Sequence, residues 1–253
     1  IDRRDAGLIE YRYCECARKC GLEVAETRLF PSARCEGYFG TKRFDRIKRP
    51  DGTIRRVHML SVSALLETSH RIPNLDYRTL MTLTLELTKD YSEVEKMYRL
   101  MCFNVYAHNR DDHSKNFTFL YDEDRQAWKL SPAYNLTYSN SLGGEHATSV
   151  NGNGRNPSRK DILAIAEHIG IAKTKAKQIA DQVEAAVADV LGNVSQYEAI
   201  CPWTLMILGN CAFPAERLGN FMASVYHYLL HPSMQALPNL CHNLLHPSNL
   251  TVR

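Results

Sequence analysis

The sequence predicts an α+β protein in which a small β-containing region precedes a larger, mainly helical region. Before residue 76, short segments rich in β-branched and aromatic residues alternate with turn signals. From Asp76 onward, apolar residues recur at helical spacing and are interrupted by one alternating segment, "FTFLY" at 117–121. At 253 residues and 44% hydrophobic content, the chain can bury a substantial core.

The first region is predicted to begin with a helix that ends at Gly21. The apolar positions predicted for its buried face are Leu8, Tyr11, Cys14 and Ala17. Strands are predicted in "TRLF" at 27–30 and in "GYFGTKRFDRI" at 37–47, because both are rich in β-formers. The "PDG" turn signal at 50–52 precedes a further extended segment, "TIRRVHML" at 53–60. This part is therefore predicted to be a helix followed by short strands.

The second region opens with two helices, 76–90 and 92–108. Ser92 and Glu95 have the spacing of a capping box at the start of the second helix. Its predicted buried stripe consists of Met97, Leu100, Met101 and Val105. "FTFLY", the acidic turn "DEDRQ" and "WKLS" then predict a short hairpin.

A Gly- and Asn-rich segment at 140–157 separates this hairpin from two more helices. One helix opens at Ser158 with Asp161 and closes at Gly170. The other covers "KTKAKQIADQVEAAVADVL" and closes at Gly192. The last segment, 197–253, contains repeated prolines and predicts short helices and loops without an assignable function.

Composition limits the class of protein. The net charge of +3 does not indicate a nucleic-acid partner, and no apolar run approaches the ~20 residues that span a bilayer. The cluster Cys14, Cys16 and Cys20, with Cys35 further on, has no second short cysteine pair, so packed thiols are favoured over a zinc site. Without a leader-like segment, the cysteines favour a reduced setting, and we expect a cytoplasmic protein without membrane contact.

The polar stretch "NRDDHSKN" at 109–116 lies between a predicted helix and a predicted hairpin. Asp111 and Asn116 have the D-x-x-x-x-N spacing of a protein-kinase catalytic loop, in which the Asp accepts the substrate hydroxyl proton and the Asn helps to hold magnesium. In kinases a second metal-binding Asp follows the hairpin, and here "SPAYN" places Asn135 there. A metal-dependent hydrolase that uses Asp111, Asp112 and His113 with His108 is an alternative.

Several segments together resemble the C-terminal part of the HipA-like serine/threonine kinases, toxins of bacterial toxin–antitoxin systems. They are "FGTKRFDR", "HMLSVSALLE", the long run from "LTLELTKD" through "NRDDHSKN" to "SPAYNLTYS", and "GGEHATSVNGNGRNP". The resemblance covers about residues 8–192. It implies a two-lobed, protein-kinase-like fold, ATP- and Mg²⁺-dependent phosphorylation of protein Ser or Thr, and an antitoxin protein as a possible partner.

The resemblance also implies roles for individual residues. Asp111 corresponds to the catalytic base, Asn116 to a magnesium ligand and His113 to an active-site residue that orients the loop or the phosphates. Arg43, Phe44 and Asp45 would lie at the interlobe hinge and face the adenine. Glu10 would be the acidic partner of a nucleotide-anchoring Lys. That Lys and the phosphate-contacting loop are expected upstream of this chain.

The resemblance also implies an organisation in three parts. Residues 1–75 would be a remnant of the nucleotide-covering lobe and hinge, 76–192 the helical catalytic lobe, and 193–253 an atypical tail.

The chain departs from the family pattern at Asn135, where the family pattern has Asp in "SPAYD". An amide offers one neutral oxygen where a hard dication prefers a carboxylate, so weaker metal binding is expected. A catalytically impaired kinase and a kinase-fold binding module that acts through an antitoxin or target therefore both remain open. His146 in "GGEHAT" has no partner that the sequence identifies.

Overall fold

The protein is described by a computed structural model over residues 4–69, 74–141 and 143–200. Helix α1 (Ala6–Lys19) forms as predicted and packs against both the first strands and the last long helix. Cys14 and Ala17 are buried as predicted, but the buried face is wider than the predicted one, since it also includes Ile9 and Tyr13 while Leu8 and Tyr11 are only half-buried. The physical reason is that α1 is covered on two sides. The tail predicted as short helices and loops lies, from residue 201 on, outside the described residues.

The predicted strands form two separate antiparallel pairs. Strands β1 (Thr27–Phe30) and β2 (Tyr38–Thr41) make the first pair. Strands β3 (Arg46–Lys48) and β4 (Ile54–Arg56) make the second, joined by the turn that "PDG" predicts. Segment 37–47 is thus two strands interrupted by a turn at 44–45.

A three-stranded antiparallel sheet joins the first region to the predicted hairpin. Strand β5 (Met59–Ser61) pairs with β7 (Thr118–Asp122), which pairs with β8 (Ala127–Leu130). The short helix α2 (Val62–Leu65) follows β5 directly. A two-residue parallel ladder between β6 (Leu75–Asp76) and β9 (Thr148–Ser149) completes the β structure of the described ranges.

The helical region matches the predicted segments closely. Its helices are α3 (Tyr77–Thr88), α4 (Tyr91–Tyr106), α5 (Arg159–Ile169) and α6 (Lys173–Leu191), with 3₁₀ helices at Ser114–Asn116 and Val194–Ile200. The helix predicted to open at Ser158 is confirmed, and the structure shows that Ser158 and Asp161 form a capping box there. The box predicted at Ser92 and Glu95 is wrong, because Asp90 caps α4 by accepting a hydrogen bond from Ser92 N at 2.8 Å.

Helix α4 is the centre of the helical core and packs against α3, α5 and α6. Its buried side chains include Met97, Leu100, Met101 and Phe103. The cysteines of α1 are packed thiols, as predicted. Cys16 Sγ lies 3.9 Å from Ala186 O, and the neighbouring Cys20 also faces α6. Among the described residues, no helix is both long and apolar enough to cross a membrane.

A buried carboxylate ties α4 to the sheet. Glu93 Oε2 accepts a hydrogen bond from Leu130 N at 2.7 Å, and its Oε1 lies 2.6 Å from Lys96 Nζ. The Glu93 side chain is 7% exposed, so few water molecules can replace these contacts. Because β8 leads directly into the segment that carries Asn135, this contact also fixes the start of that segment.

Replacing Glu93 by Ala is expected to lower the free energy of unfolding by about 1–3 kcal/mol, since Leu130 N–H would be left buried without its acceptor. The measurement is urea denaturation followed by circular dichroism. Glu95→Ala is the matched control, because its ion pair with Lys175 is partly exposed and contributes at most ~1 kcal/mol. Equal losses of unfolding free energy for the two variants would contradict a stabilising role of the Glu93–Leu130 hydrogen bond.

Candidate active site

The predicted catalytic loop joins the end of α4 to β7 and is held on both sides by backbone hydrogen bonds. Arg110 N donates to Ser139 O at 3.2 Å, and Arg110 O accepts from Ala147 N at 3.0 Å. The loop ends in the 3₁₀ helix Ser114–Asn116, directly before β7. Its backbone is therefore fixed by the segments on either side rather than free in solvent.

The four side chains predicted for base, orienting and metal roles are neighbours in space. Asn116 Nδ2 donates to Asp111 O at 2.6 Å, and Asn135 Nδ2 donates to Asn116 Oδ1 at 3.2 Å. His113 Nε2 lies 3.7 Å from Asp111 Oδ1. Asn135 has a φ of 55°, in the left-handed region that Asn and Asp enter more readily than other non-glycine residues. The two amides thus meet at one end of the hairpin, beside the backbone of Asp111.

Burial tunes the titratable groups of this cluster. It raises the pKa of Asp111 to about 6, and the charge of Asp112 adds to that shift. Burial also lowers the pKa of His113, which favours the neutral imidazole. Since His113 Nδ1 accepts a hydrogen bond from Lys115 N at 3.3 Å, its proton lies on Nε2, the nitrogen nearer Asp111. A carboxyl group with a pKa near neutrality is suited to accept a proton.

The neighbouring Asp112 points away from this cluster into a buried network. Its Oδ2 accepts hydrogen bonds from Tyr77 Oη and from His146 Nδ1, both at 2.9 Å, and its Oδ1 accepts one from Thr148 N at 3.1 Å. Asn104 Nδ2 in turn donates to Tyr77 Oη at 2.9 Å. The Asp112 side chain is fully buried, so these donors replace the water that a carboxylate needs.

Sequence reasoning missed most of this network. Tyr77, Asn104 and Thr148 were not singled out, and His146 had no identified partner although its ring contacts Asp112. The one available signal was the pair of adjacent carboxylates, since two such charges seldom share one environment. Nothing in the local sequence indicates which distant residues supply the donors.

The same geometry argues against the metal-hydrolase alternative. Asp111 faces His113 whereas Asp112 faces His146, so the two carboxylates do not converge. The His108 ring stacks on Tyr138 at 5.0 Å between ring centroids. Within the described ranges, no cluster of three or more His, Cys, Asp or Glu side chains is arranged to hold a metal ion.

The residues predicted for the hinge have different environments. The Phe44 ring lies 5.5 Å from the ring of Tyr134, the residue before Asn135. Arg43 Nε and Nη2 donate to the two carboxylate oxygens of Asp45 at 2.7 and 2.6 Å, and this pairing lowers the pKa of Asp45. Arg43 and Asp45 therefore stabilise the turn before β3, while Phe44 reaches the segment that carries the candidate site.

Glu10, predicted as the acidic partner of a nucleotide-anchoring Lys, lies on α1 and is half-buried. Burial raises the pKa of its carboxyl group. Among the described residues its carboxylate forms no ion pair. A cation at this position would offset the cost of burying the charge, and the predicted role stays a prediction.

The fold is that of a kinase-like protein of the HipA class. The solved structure of HipA from Shewanella oneidensis MR-1, in a complex with HipB and its operator DNA, superimposes with a TM-score of 0.62 at 14% identity. The match covers 98% of this chain and 58% of that chain. The proinflammatory kinase CtkA of Helicobacter pylori gives a TM-score of 0.47 at 13% identity over 78% of this chain and 87% of its own.

The chain belongs to the family described by the HipA-like C-terminal domain, whose model matches residues 2–191. A curated relative, named as the putative kinase Y4mE of Sinorhizobium fredii, is 30% identical over 126 residues. That match covers 47% of this chain and 29% of the relative. The chain thus spans less than a third of that relative and somewhat more than half of the HipA chain.

Asp111→Asn is expected to stabilise the fold above about pH 6 and not at about pH 4. Folding raises the pKa of Asp111 to about 6 from 3.8. The stability that this carboxyl group contributes is therefore complete below the pKa of the unfolded state, and it is lost as the pH rises through the pKa of the folded state. The gain at about pH 8 should be roughly 1–3 kcal/mol. Urea denaturation at several pH values measures it. Asp124→Asn, in the exposed β7–β8 turn, is the control. A gain in unfolding free energy that does not depend on pH would contradict the raised pKa of Asp111.

His146→Ala is expected to lower the free energy of unfolding by roughly 2–4 kcal/mol at neutral pH, because the buried Asp112 carboxylate would lose one donor. Thermal denaturation followed by circular dichroism is the measurement. His168→Ala, at an exposed position of α5, should change stability by less than ~0.5 kcal/mol. A loss no larger than that of the control would show that the His146 contact is dispensable.

Proposed function

We propose that this chain carries the catalytic part of an ATP- and Mg²⁺-dependent kinase that phosphorylates Ser or Thr of a protein, with activity weakened by Asn135. The observation that carries this proposal is the chain of hydrogen bonds from Asn135 through the Asn116 amide to the backbone carbonyl of Asp111, at the junction of the predicted catalytic loop and the β7–β8 hairpin. Membership of the HipA-like family supports a kinase-like function in general.

In the proposed reaction, Asp111 orients the substrate hydroxyl and accepts its proton as the hydroxyl oxygen attacks the γ-phosphorus of ATP. The bond from that phosphorus to the β–γ bridging oxygen breaks, and ADP leaves. The raised pKa of Asp111 brings its basicity close to neutral pH. His113, held neutral by burial, keeps Asp111 in place without adding a positive charge to the site.

The residues present fit Mg²⁺ in ligand type, since Asp111, Asn116 and Asn135 all offer oxygen atoms. They fit it weakly in charge, because Asn135 supplies an amide and its Nδ2 engages Asn116 Oδ1 at 3.2 Å. Asn116 and Asn135 would hold the ion, and when bound it would neutralise phosphate charge. Because Asn135 turns its Nδ2 rather than its Oδ1 towards Asn116, its amide has to rotate before both oxygens can face one ion, and weak binding is expected.

The second candidate function is a kinase-fold binding module that acts through an antitoxin or a target protein. Asn135 favours this alternative, because its amide is a weaker ligand for a hard metal ion than a carboxylate and donates a hydrogen bond to Asn116. The structural neighbour HipA is solved with HipB, which supports an antitoxin as the partner to test.

Asn135→Asp should strengthen Mg²⁺-dependent ATP binding by on the order of tenfold or more, because a carboxylate replaces a neutral ligand. Isothermal titration calorimetry with and without Mg²⁺, on the protein that carries this chain, is the measurement, with transfer of labelled γ-phosphate followed in parallel. Asp tolerates the left-handed backbone at this position, so the variant should fold. Gln126→Glu adds the same charge in an exposed turn and serves as the control.

The outcomes separate the two candidate functions. Transfer by both the natural protein and its Asn135→Asp variant supports the kinase, and Asp111→Asn should then abolish transfer while leaving ATP affinity within a few-fold. Transfer only after Asn135→Asp supports the binding module for the natural chain. Absence of Mg²⁺-dependent ATP binding in both proteins would contradict a nucleotide site at Asp111 and Asn116.

A further inference from the structure

The β3–β4 hairpin concentrates positive charge. Between residues 46 and 56 the sequence has five cations and one carboxylate, whereas the whole chain has a net charge of only +3. The charged side chains of this segment are Arg46, Lys48, Arg49, Asp51, Arg55 and Arg56. A local excess of this size makes the hairpin the origin of an attractive field for acidic groups.

Part of this charge is used within the fold. Arg46 Nη1 pairs with Asp45, and Arg55 Nη1 lies 2.8 Å from Glu123 Oε2 in the β7–β8 turn. The side chains of Lys48, Arg49 and Arg56 are different, because they are exposed and form no ion pair with any described residue. These three cations are therefore available to a partner.

The register of the hairpin places an apolar side chain beside these cations. Arg46 pairs with Arg56 and Lys48 with Ile54 across the strands, so Lys48, Ile54 and Arg56 lie on the same face. Ile54 is 65% exposed, the largest exposure among the large hydrophobic residues of the described ranges. The opposite face holds Arg55, which is half-buried against the β7–β8 turn, and its cross-strand neighbour Ile47, which is less exposed than Ile54 at 42%. The open face thus combines charge with an apolar contact.

One contact connects the start of this hairpin to the candidate active site. Phe44, two residues before β3, packs its ring 5.5 Å from Tyr134, and Tyr134 Oη donates a hydrogen bond to Lys115 O in the predicted catalytic loop. The Arg55–Glu123 pair anchors the other strand to the turn of the β7–β8 hairpin, at the end of that hairpin away from the loop. A polypeptide that runs along the open face towards Phe44 would therefore approach the residues proposed for phosphoryl transfer.

We propose that the open face of the β3–β4 hairpin docks the protein substrate through an acidic segment that also carries an apolar residue. This inference rests on the proposed kinase function, and it names the substrate class as proteins with Asp or Glu near the phosphate-accepting Ser or Thr. A polypeptide fits better than a nucleic acid, because phosphate contacts gain nothing from the exposed Ile54.

The test is fluorescence anisotropy with a short labelled peptide in which one Ser is flanked by Glu and Leu residues, measured without nucleotide. Its affinity should exceed that of the same peptide with Gln for Glu by on the order of tenfold at low salt and should fall as salt is raised. The double variant Lys48→Glu, Arg56→Glu should remove this preference. Lys173→Glu, Lys177→Glu, at exposed positions of α6, changes the net charge equally and should keep it.

Two results would overturn the docking surface. One is equal affinity of the natural protein for the Glu and Gln peptides. The other is an equal preference for the Glu peptide in the hairpin variant and the α6 variant, after circular dichroism has shown that both variants are folded. A single-stranded DNA oligonucleotide that binds more tightly than the Glu peptide, and that loses affinity in the Lys48→Glu, Arg56→Glu variant, would also overturn the docking surface, because it would identify a nucleic-acid surface. Peptide docking that persists in a protein unable to bind ATP and Mg²⁺ would instead contradict the proposed kinase function alone.

Discussion

The geometry of the candidate site depends on the hydrogen bonds of one fully buried group, the Asp112 carboxylate. It accepts hydrogen bonds from α3 through Tyr77 and from the segment before α5 through His146 and Thr148. Asn104 of α4 joins the same network through Tyr77. A buried charge is stable only when donors replace its water, so these distant elements must come together around the loop.

This arrangement gives two adjacent carboxylates different tasks. Asp112, with three donors, anchors the loop, whereas Asp111 lies beside His113 in a partly buried position where its pKa rises to about 6. The charge of Asp112 contributes to that shift, so the anchor also adjusts the proton affinity of its neighbour. Structural support and chemical tuning therefore come from the same buried group.

The family relation and the local geometry lead in the same direction with one exception. The catalytic loop, the hairpin and the following segment have the arrangement expected of a HipA-like fold, and the match extends over residues 2–191. The exception is Asn135, whose amide donates to Asn116 and offers a neutral oxygen where the resemblance implies a carboxylate.

The sequence by itself determined the local structure, including the long helices, the helix start at Ser158, the hairpin after the polar loop and the family to which the chain belongs. These features depend on residues a few positions apart, whose periodicity and turn chemistry can be read directly. Only the tertiary structure decided that Asp112 pairs with His146, 34 residues away, and that the buried face of α1 is widened by packing on two sides. Such partners are chosen by the summed packing of the chain, which no local pattern records.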